Sequence, residues 1–194
     1  MIILIILFTL TYLAGAIPTG YWVGLANGVD LTKEGSKSTG ATNVLRCVGK
    51  WQAALVMLID ILKGFAPVYF IKNYLPLDPW LIVLLAFLPI IGHSKSIFIG
   101  FKGGKSSATG FGIILALNWI VAIITIALWF TTVKVTRTSS LGSIVAVPLV
   151  PVWFWVFGES LPVILFGVAA FIYIVLIKHR SNIRRLLSGT EAKF

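Results

Sequence analysis

Long apolar runs recur along this chain, and they constrain its fold more than any other feature. They cover residues 1–26, 51–71, 79–98, 111–133, 143–157 and 161–178. Most of them approach or exceed the roughly 18 to 20 residues that a helix needs to span a bilayer. Of the 194 residues, 58% are hydrophobic and only 11% are charged, which leaves too little polar surface for a soluble domain. We therefore predict an all-α integral membrane protein with a single domain over residues 1–194.

The first apolar run is predicted to be a retained helix and not a cleaved signal peptide. Residues 1–13 carry no positively charged side chain, and the run continues through Ile17. A signal peptide has a basic start and is followed by a chain of ordinary polarity. This chain stays hydrophobic throughout.

Positive charge is concentrated between the apolar runs. The chain has 16 Lys and Arg against 6 Asp and Glu, a net charge of +10. In so apolar a chain, this charge favours anionic lipid or an anionic substrate over nucleic acid. All the cations except Lys63 and Lys72 lie in four stretches, residues 33–50, 95–105, 134–137 and 178–193. The positive-inside rule predicts that all four are cytoplasmic.

The number of crossings follows from that placement. The apolar run at 111–133 separates two basic stretches, so it must cross the membrane an even number of times. Asn118 and Trp119, near its middle, favour a turn there, with the first arm starting near Ser106. We predict about seven transmembrane helices, some of them short, with the N-terminus outside and the C-terminus cytoplasmic. Six crossings, from hydropathy alone, is the alternative.

The first basic stretch has the composition of an anion site. Its small residues let the backbone approach a ligand, its hydroxyls and amide offer neutral hydrogen bonds, and arginine supplies a planar fork that suits phosphate or carboxylate. An ordinary polar loop with a helix N-cap is the alternative. The candidate ligand-binding residues are Ser36, Gly40, Thr42, Asn43 and Arg46.

The second basic stretch contains Gly103-Gly104-Lys105-Ser106, which looks like the end of a nucleotide-binding P-loop. The leading glycine of that motif would fall at position 99, which is Ile99, and no strand–loop–helix context surrounds it. Glycines at the start of a helix still expose N–H groups to an anion, and Lys105 adds a charge. We predict a phosphate cradle at Gly103, Gly104 and Lys105 without nucleotide hydrolysis.

The third and fourth basic stretches add hydroxyls and an imidazole. Of the serines that open the helix after residue 138, Ser143 is predicted to contact the ligand, and at least one of the others is an N-cap. If the last helix continues through His179 and Asn182, these two share a face and suit a polar substrate. Arg184, Arg185 and Lys193 are interpreted as a basic tail on anionic lipid.

Two further features have structural interpretations. The single cysteine, Cys47, excludes an intrachain disulfide and is predicted to be a partly buried thiol. Asp60 and Lys63 lie in an apolar helix at a spacing that allows pairing, and a structural pair is favoured over a catalytic role, although Lys63 could instead snorkel. The chain has no clustered carboxylates or thiols, so neither a metal nor a cofactor is predicted.

Taken in order, the motifs resemble those of the bacterial acyl-phosphate:glycerol-3-phosphate acyltransferases, which are integral membrane enzymes. The resemblance covers nearly the whole chain. Its signatures are Gly40-Ala41-Thr42-Asn43 with Arg46, Gly92-His93, Phe101-Lys102-Gly103-Gly104-Lys105 with Ala108-Thr109, Ser139-Ser140 with Ser143, and His179-Arg180-Ser181-Asn182-Ile183 with Gly189-Thr190-Glu191. The chain departs from that family at Lys37-Ser38, where Gly-Asn is usual, at Ser96, where proline is usual, and at Ser106, where glycine is usual.

The resemblance implies transfer of a fatty acyl group from acyl phosphate to the 1-hydroxyl of glycerol 3-phosphate, which yields lysophosphatidic acid and phosphate. This is the first step of phospholipid synthesis, at the cytoplasmic face of the bacterial inner membrane. No CoA and no nucleic acid take part, and we expect a monomer among membrane lipids. Catalytic roles are expected for Arg46, Lys105, Ser143 and His179. The expected substrate-binding residues are Ser36, Gly40, Thr42, Asn43, Gly103, Gly104, His179 and Asn182.

The residues agree with that chemistry in one further respect. Acyltransferases of the acyl-CoA type resemble one another in a His-x-x-x-x-Asp motif. Here the aspartate position is Phe98 after His93 and Arg184 after His179, so that mechanism is absent. His179 either orients glycerol 3-phosphate or acts as a general base, and the departing phosphate is an alternative proton acceptor.

A transporter or channel for a phosphorylated anion is the competing function. Carriers also bind anions at the N-termini of short paired helices, but they show repeated halves and polar residues near the midplane. The basic groups of this chain cluster at one face, which favours the enzyme. A scaffolding role leaves the four basic stretches unexplained.

Overall fold

The computed structural model describes residues 1–193, which form eleven α-helices, two 3₁₀ turns and one π-helical segment. Within this range the only β-pairing is an isolated bridge between Ser96 and Lys102. The all-α prediction is therefore confirmed. The helices are α1 Ile2–Ala16, α2 Thr19–Ala26, α3 Ala41–Cys47, α4 Lys50–Tyr74, α5 Pro79–Ser94, α6 Ser107–Leu117, α7 Trp119–Thr136, α8 Ser139–Ala146, α9 Val150–Val156, α10 Leu161–Phe171 and α11 Arg180–Leu187.

Five helical segments are long and apolar enough to cross a membrane. They are Ile2–Ala26, Lys50–Tyr74, Trp119–Thr136, Ser139–Val156 and Leu161–Lys178. The apolar helices α5 and α6 are shorter. The 11 residues of α6 rise roughly 16 Å, about half the thickness of a hydrocarbon core. The molecule is an integral membrane protein that contains both full-length and half-length apolar helices.

The half-length helix α6 packs tightly against α4. A Cβ atom on Gly112 would lie 2.0 Å from the carbonyl oxygen of Ile61, and one on Gly64 would lie 2.1 Å from that of Thr109. The two backbones can approach this closely because neither glycine carries a side chain. This contact fixes the start of α6, and with it the loop that carries Lys105, relative to α4.

The break between α6 and α7 lies at Asn118, as the sequence predicted. The Asn118 side chain caps α7 by accepting hydrogen bonds from the amides of Ile120 and Val121, at 3.0 and 3.1 Å. Its amide nitrogen donates to Glu159 at 2.8 Å. Lys72 donates to the last carbonyls of α6, where a cation stabilises the helix dipole. The predicted start near Ser106 also matches the observed start of α6.

A small apolar cluster fixes the loop that precedes α3. Leu31, Val44, Ala53 and Val56 are buried together, apart from the larger core between α4 and α10. They hold α3 and the polar loop before it against the start of α4. The first basic stretch is therefore an ordered part of the fold.

The last transmembrane helix changes its helical register before it reaches the C-terminal stretch, so the condition under which His179 and Asn182 would share a face of one regular helix is not met. After Phe171 it becomes a π-helix over Ile172–Lys178, and α11 begins at Arg180. The amide of His179 donates to the carbonyls of Ile174 and Val175, at 3.1 and 3.2 Å. Short π segments often occur at functional sites. Here the segment ends at the residue expected to contact substrate.

Candidate active site

One pocket is lined by residues of the first, second and fourth basic stretches and by the serines that follow the third. Its polar part includes Ser36, Thr42, Arg46, Lys105, Ser143 and His179, and its apolar part includes Met57, Phe111, Ile126, Trp129 and Val150. Residues far apart in the sequence thus form one cavity with a cationic end and an apolar end. Met57 and Ile126 are also 42% and 37% exposed, so the apolar end opens sideways between α4 and α7.

Most of the predicted site residues line this pocket. Gly40, Asn43 and Asn182 join those already named. Gly103 and Gly104 are not part of the lining, and pack instead against His93 of α5. Because glycine has no side chain, Gly104 can approach the His93 ring and Gly103 can approach the His93 carbonyl oxygen.

Lys105 is the central cation of the site. Its Nζ donates to the Oδ1 atom of Asn182 at 2.5 Å. The pKa of the Lys105 amine is lowered to about 8, chiefly by burial and also by the nearby Arg185 and Arg46, while Glu191 opposes the change. The amine is therefore mostly protonated at neutral pH, and is more easily deprotonated than an exposed lysine.

Glu191 connects three of the site's elements, although the sequence analysis did not assign it a role. Its Oε1 atom accepts hydrogen bonds from Ser140 and from Asn182, both at 2.6 Å, and its Oε2 atom accepts one from Arg185 Nε at 2.6 Å. Burial alone would raise the pKa of this carboxyl, but the three hydrogen bonds together lower it below the ordinary value. Arg185, interpreted from sequence as a lipid contact, pairs with this carboxylate.

The segment after α11 folds back over the pocket. Gly189, with φ of +70°, makes the turn that returns the chain. Arg46 donates through Nη2 to the carbonyl of Ala192 at 3.1 Å. The only sequence signal for this segment was the Gly189-Thr190-Glu191 motif of the resemblance.

The loop before α3 is shaped by Asn43. The side chain is buried, its Oδ1 atom accepts from the amide of Ser36 at 2.8 Å, and its Nδ2 atom donates to the carbonyl of Glu34 at 3.1 Å. Asn43 thus holds Ser36 in place and is itself largely occupied. The thiol of Cys47 is partly buried, as predicted, 3.7 Å from the same oxygen.

Hydroxyls and free amides surround the start of α6. Ser143 donates to the hydroxyl of Ser107 at 3.0 Å, and the hydroxyls of Thr42 and Ser139 are 3.0 Å apart. Among residues 1–193 no acceptor pairs with the amides of Ser107, Ala108 and Thr109. Unpaired amides at a helix N-terminus favour an anion.

His179 is held as a neutral imidazole. It is only 3% exposed, and its Nδ1 atom lies 2.8 Å from the carbonyl oxygen of Ile174. A carbonyl only accepts hydrogen bonds, so Nδ1 carries the proton and Nε2 is left as an acceptor. The pKa of His179 is lowered to about 4, chiefly by burial and also by the charge of Lys105, while the hydrogen bond to the Ile174 carbonyl opposes the change. The ring can therefore accept a hydrogen bond from a substrate hydroxyl at neutral pH.

Asp60 and Lys63 of α4 and His93 of α5 form a buried ionisable group at the pocket. Lys63 Nζ lies 2.8 Å from Asp60 Oδ1 and donates to the carbonyl of Ile17 at 2.9 Å. The predicted pairing is confirmed, and snorkelling is ruled out because the Lys63 side chain is 4% exposed. His93, which sequence reasoning did not single out as a site residue, lies next to Asp60, and both line the pocket.

The arrangement of these groups indicates what kind of ligand the pocket can bind. Two cations, a helix N-terminus and several hydroxyls suit phosphate groups, and the adjoining apolar cleft suits a hydrocarbon chain. Among residues 1–193, no group of three or more His, Cys, Asp and Glu is placed to hold a metal ion. The fold and the site together define an integral membrane protein whose pocket has a cationic end suited to phosphate and an apolar end suited to a hydrocarbon chain.

The chain belongs to the glycerol-3-phosphate acyltransferase family, whose sequence model matches residues 5–189. It is 48% identical over 183 residues to the glycerol-3-phosphate acyltransferase of Synechococcus sp. (strain JA-3-3Ab), an alignment that covers 94% of this chain and 89% of the relative. The enzyme of that name from Trichormus variabilis is 44% identical over 199 residues, with coverage of 94% and 88%.

Solved structures agree with this assignment. The crystal structure of PlsY (YgiH), an integral membrane glycerol 3-phosphate acyltransferase, in its glycerol 3-phosphate form superposes with a TM-score of 0.94 at 34% identity, and covers 98% of this chain and 95% of that chain. The lysophosphatidic acid form of PlsY superposes with a TM-score of 0.91 over the same coverage.

Proposed function

We propose that this protein transfers a fatty acyl group from acyl phosphate to the 1-hydroxyl of glycerol 3-phosphate, releasing lysophosphatidic acid and inorganic phosphate. The observation that carries the proposal is the pocket itself, in which Arg46 and Lys105 lie at the head of an apolar cleft. Family membership and the two ligand forms of PlsY support the acceptor and the product.

The acceptor occupies the polar end of the pocket. Its phosphate is bound by Lys105 and Arg46, with Ser36 and Thr42 nearby. Its 1-hydroxyl donates to Nε2 of the neutral His179, and Asn182 holds the glycerol backbone. Gly40 and Asn43 shape the loop that presents these groups. Glycerol 3-phosphate then displaces the tail carbonyl of Ala192 from Arg46, or shares the guanidinium with it.

The donor occupies both ends of the pocket. Its acyl chain lies in the apolar cleft, entering from the bilayer between Met57 and Ile126. Its phosphate lies at the free amides that begin α6, within reach of Ser143 and Lys105. These groups stabilise the negative charge that grows on the leaving phosphate.

The acceptor oxygen attacks the carbonyl carbon, and the bond from that carbon to the phosphate oxygen breaks. Phosphate is a good leaving group, so alignment and charge stabilisation supply most of the acceleration. The hydroxyl proton passes to the departing phosphate. With a pKa of about 4, His179 is a weak base at neutral pH, and its role is to orient the hydroxyl.

The topology that accompanies this function has seven crossings. The segments α1–α2, α4, α5, α6, α7, α8–α9 and α10 each make one crossing, and the half-length α6 starts from a loop within the cytoplasmic leaflet. This topology places the four basic stretches, the opening of the pocket and the C-terminus on the cytoplasmic side and the N-terminus outside. The membrane is the bacterial inner membrane, and the protein acts as a monomer without CoA. A carrier for phosphorylated anions is less well supported, because the site's cations lie at one end of the bundle.

The donor is tested with purified protein in detergent. We expect lysophosphatidate from glycerol 3-phosphate with acyl phosphate, undiminished by a metal chelator, and little or none with acyl-CoA of the same chain length. The matched control is the Lys105→Ala variant in both reactions. Robust turnover with acyl-CoA alone would overturn the proposed donor.

A further inference from the structure

Three ionisable side chains lie together next to the Gly103-Gly104-Lys105 segment, called here the phosphate loop. They take no part in the mechanism above. Asp60 and Lys63 of α4 form an ion pair of 2.8 Å, with side chains 2% and 4% exposed. His93 of α5, 5% exposed, places Nδ1 3.6 Å from the same Asp60 oxygen. Charges this deeply buried in an apolar protein are costly, and they often have a function.

The His93 residue is in direct contact with the phosphate loop. Its carbonyl oxygen accepts a hydrogen bond from the amide of Gly104 at 3.1 Å. Its ring is so close that a Cβ atom on Gly104 would lie 2.1 Å from Nε2, while one on Gly103 would lie 2.2 Å from the His93 carbonyl oxygen. The position of the ring therefore determines the path of the chain immediately before Lys105.

The contact between His93 and Asp60 is incomplete. A separation of 3.6 Å is too long for a hydrogen bond, and Nδ1 of His93 has no other partner among residues 1–193. Such a buried polar atom gains from a small movement that completes the bond. Catalytic hydrogen bonds are often long before substrate binds and shorten in the complex.

We propose that Asp60 and His93 are positioning residues: they fix the position of the Gly103–Gly104 turn, and through it the orientation of the Lys105 side chain. Lys63 balances the charge of Asp60. Binding of phosphate at Lys105 shifts the turn and ring so that Nδ1 donates to Asp60. The inference rests on the proposed function only in taking Lys105 to bind substrate phosphate.

The first test compares two replacements of His93. Asparagine keeps a donor near the position of Nδ1, and leucine fills similar space without one. We expect His93→Leu to lower kcat at least tenfold while its unfolding temperature stays close to that of wild type. His93→Asn should recover several-fold of that loss. Equal kcat and KM in wild type and His93→Leu, or no difference between the two variants, would overturn the proposal.

Asp60 is tested together with its partner. The double variant Asp60→Leu/Lys63→Met removes both charges, so that neither is left buried and unpaired. We expect a folded protein with kcat reduced about as much as in His93→Leu. A folded double variant with wild-type kcat would contradict a positioning role for Asp60.

The second test is a double-mutant cycle on the ring contact. Gly104→Ala should impair the wild-type enzyme because its methyl group clashes with the His93 ring, but it should add no further loss to His93→Ala, which lacks the ring. Gly103→Ala is the matched control: its clash is with a backbone oxygen that His93→Ala retains, so its loss should persist. Additive losses for Gly104→Ala and His93→Ala would refute the contact.

A binding measurement separates this inference from the donor assignment. The rise in unfolding temperature caused by glycerol 3-phosphate reports occupancy of the site without acyl transfer. We expect the rise in unfolding temperature to decrease in the His93 and glycine variants in the same order as kcat does. If wild type binds glycerol 3-phosphate but does not turn over acyl phosphate, the donor assignment fails. The double-mutant cycle on Gly104 and His93 is then evaluated from the binding measurements alone. If the variants bind as wild type does, the positioning role fails.

Discussion

At the scale of single residues, the burial of Lys105 has a consequence for pH. With its pKa lowered to about 8, the free enzyme loses the Lys105 charge as pH rises through that value. A bound phosphate dianion stabilises the ammonium form, so the loss affects the complex less. We expect kcat/KM for glycerol 3-phosphate to fall above about pH 8, while kcat falls only at higher pH.

Lys105→Arg is the control for that profile. Guanidinium stays charged across this range, so the decrease near pH 8 should disappear, although overall activity falls because the two head groups differ in shape. If the decrease in kcat/KM near pH 8 persists in Lys105→Arg, a group other than Lys105 causes it. Initial rates between pH 6 and 10 provide the measurement.

Substitutions of His179 test its proposed role, which is to orient the 1-hydroxyl of glycerol 3-phosphate. His179→Gln keeps a polar group near the position of Nε2, so we expect it to retain more activity than His179→Ala. Loss of one hydrogen bond of about 1 kcal/mol corresponds to roughly fivefold in rate. Equal inactivity of the two variants, together with a rate that depends on a group of pKa near 4 in wild type, would support a general-base role instead.

The departures from the family pattern show what residue types alone can predict. Lys37 and Ser106, where glycine is usual, have φ of +56° and +66°, in the left-handed region that glycine adopts freely. Ser106 is held there by a hydrogen bond from its hydroxyl to the carbonyl of Ile90 at 2.8 Å. Ser96, where proline is usual, uses the amide that proline lacks to donate to Lys102. The resemblance located these positions, but only the structure explains how other residues are accommodated.

At the scale of structural elements, the C-terminal segment is the part of the site that the sequence predicted least. The bond between Arg46 and Ala192 joins residues far apart in sequence, and no periodicity reports such a pairing. The π-helix before His179 was also missed, because an apolar run does not reveal a change of helical register. In contrast, charge placement predicted that the four basic stretches share one side of the membrane, and the structure brings residues of three of them, Arg46, Lys105 and His179, into one pocket.

We expect Glu191→Ala to release this segment. The carboxylate accepts three hydrogen bonds, one from the charged Arg185, so its loss should lower the free energy of unfolding by about 2 kcal/mol or more. Thermal unfolding followed by intrinsic fluorescence provides the measurement, with Lys193→Ala as a control on the same segment. Unchanged stability in Glu191→Ala would contradict the observed contacts.

The stabilising effect of Glu191 should also depend on pH in a defined direction. Its pKa is lower in the folded protein than in the unfolded chain, so the stabilisation is complete above the unfolded value and is lost as pH falls through the folded value. Wild type should therefore lose more stability on acidification than Glu191→Gln. The opposite order would show that the folded state favours the protonated carboxyl.

At the scale of the whole molecule, the seven crossings that we propose would place the pocket in the cytoplasmic leaflet. The half-length α6 begins at the pocket, so in this topology the loop that carries Lys105 would lie below the membrane surface. A donor can then keep its acyl chain in the bilayer while its phosphate reaches Lys105. This geometry explains why one pocket combines strong charge with an open apolar side.

Cysteine labelling tests this topology. In a Cys47→Ser background, a cysteine at Pro76, between α4 and α5, should react with a membrane-impermeant reagent in intact cells. A cysteine at the exposed Arg137, between α7 and α8, should react only after the membrane is opened. Labelling of the Arg137 position in intact cells would contradict the paired crossing at Asn118.

The most direct test of the central claim is the product balance of a single reaction. Purified wild type, given acyl phosphate and glycerol 3-phosphate, should release inorganic phosphate and lysophosphatidate in a one-to-one ratio, and neither should form when Lys105 is replaced by Ala. Phosphate release without lysophosphatidate, or undiminished formation of both products by Lys105→Ala, would contradict acyl transfer at this site.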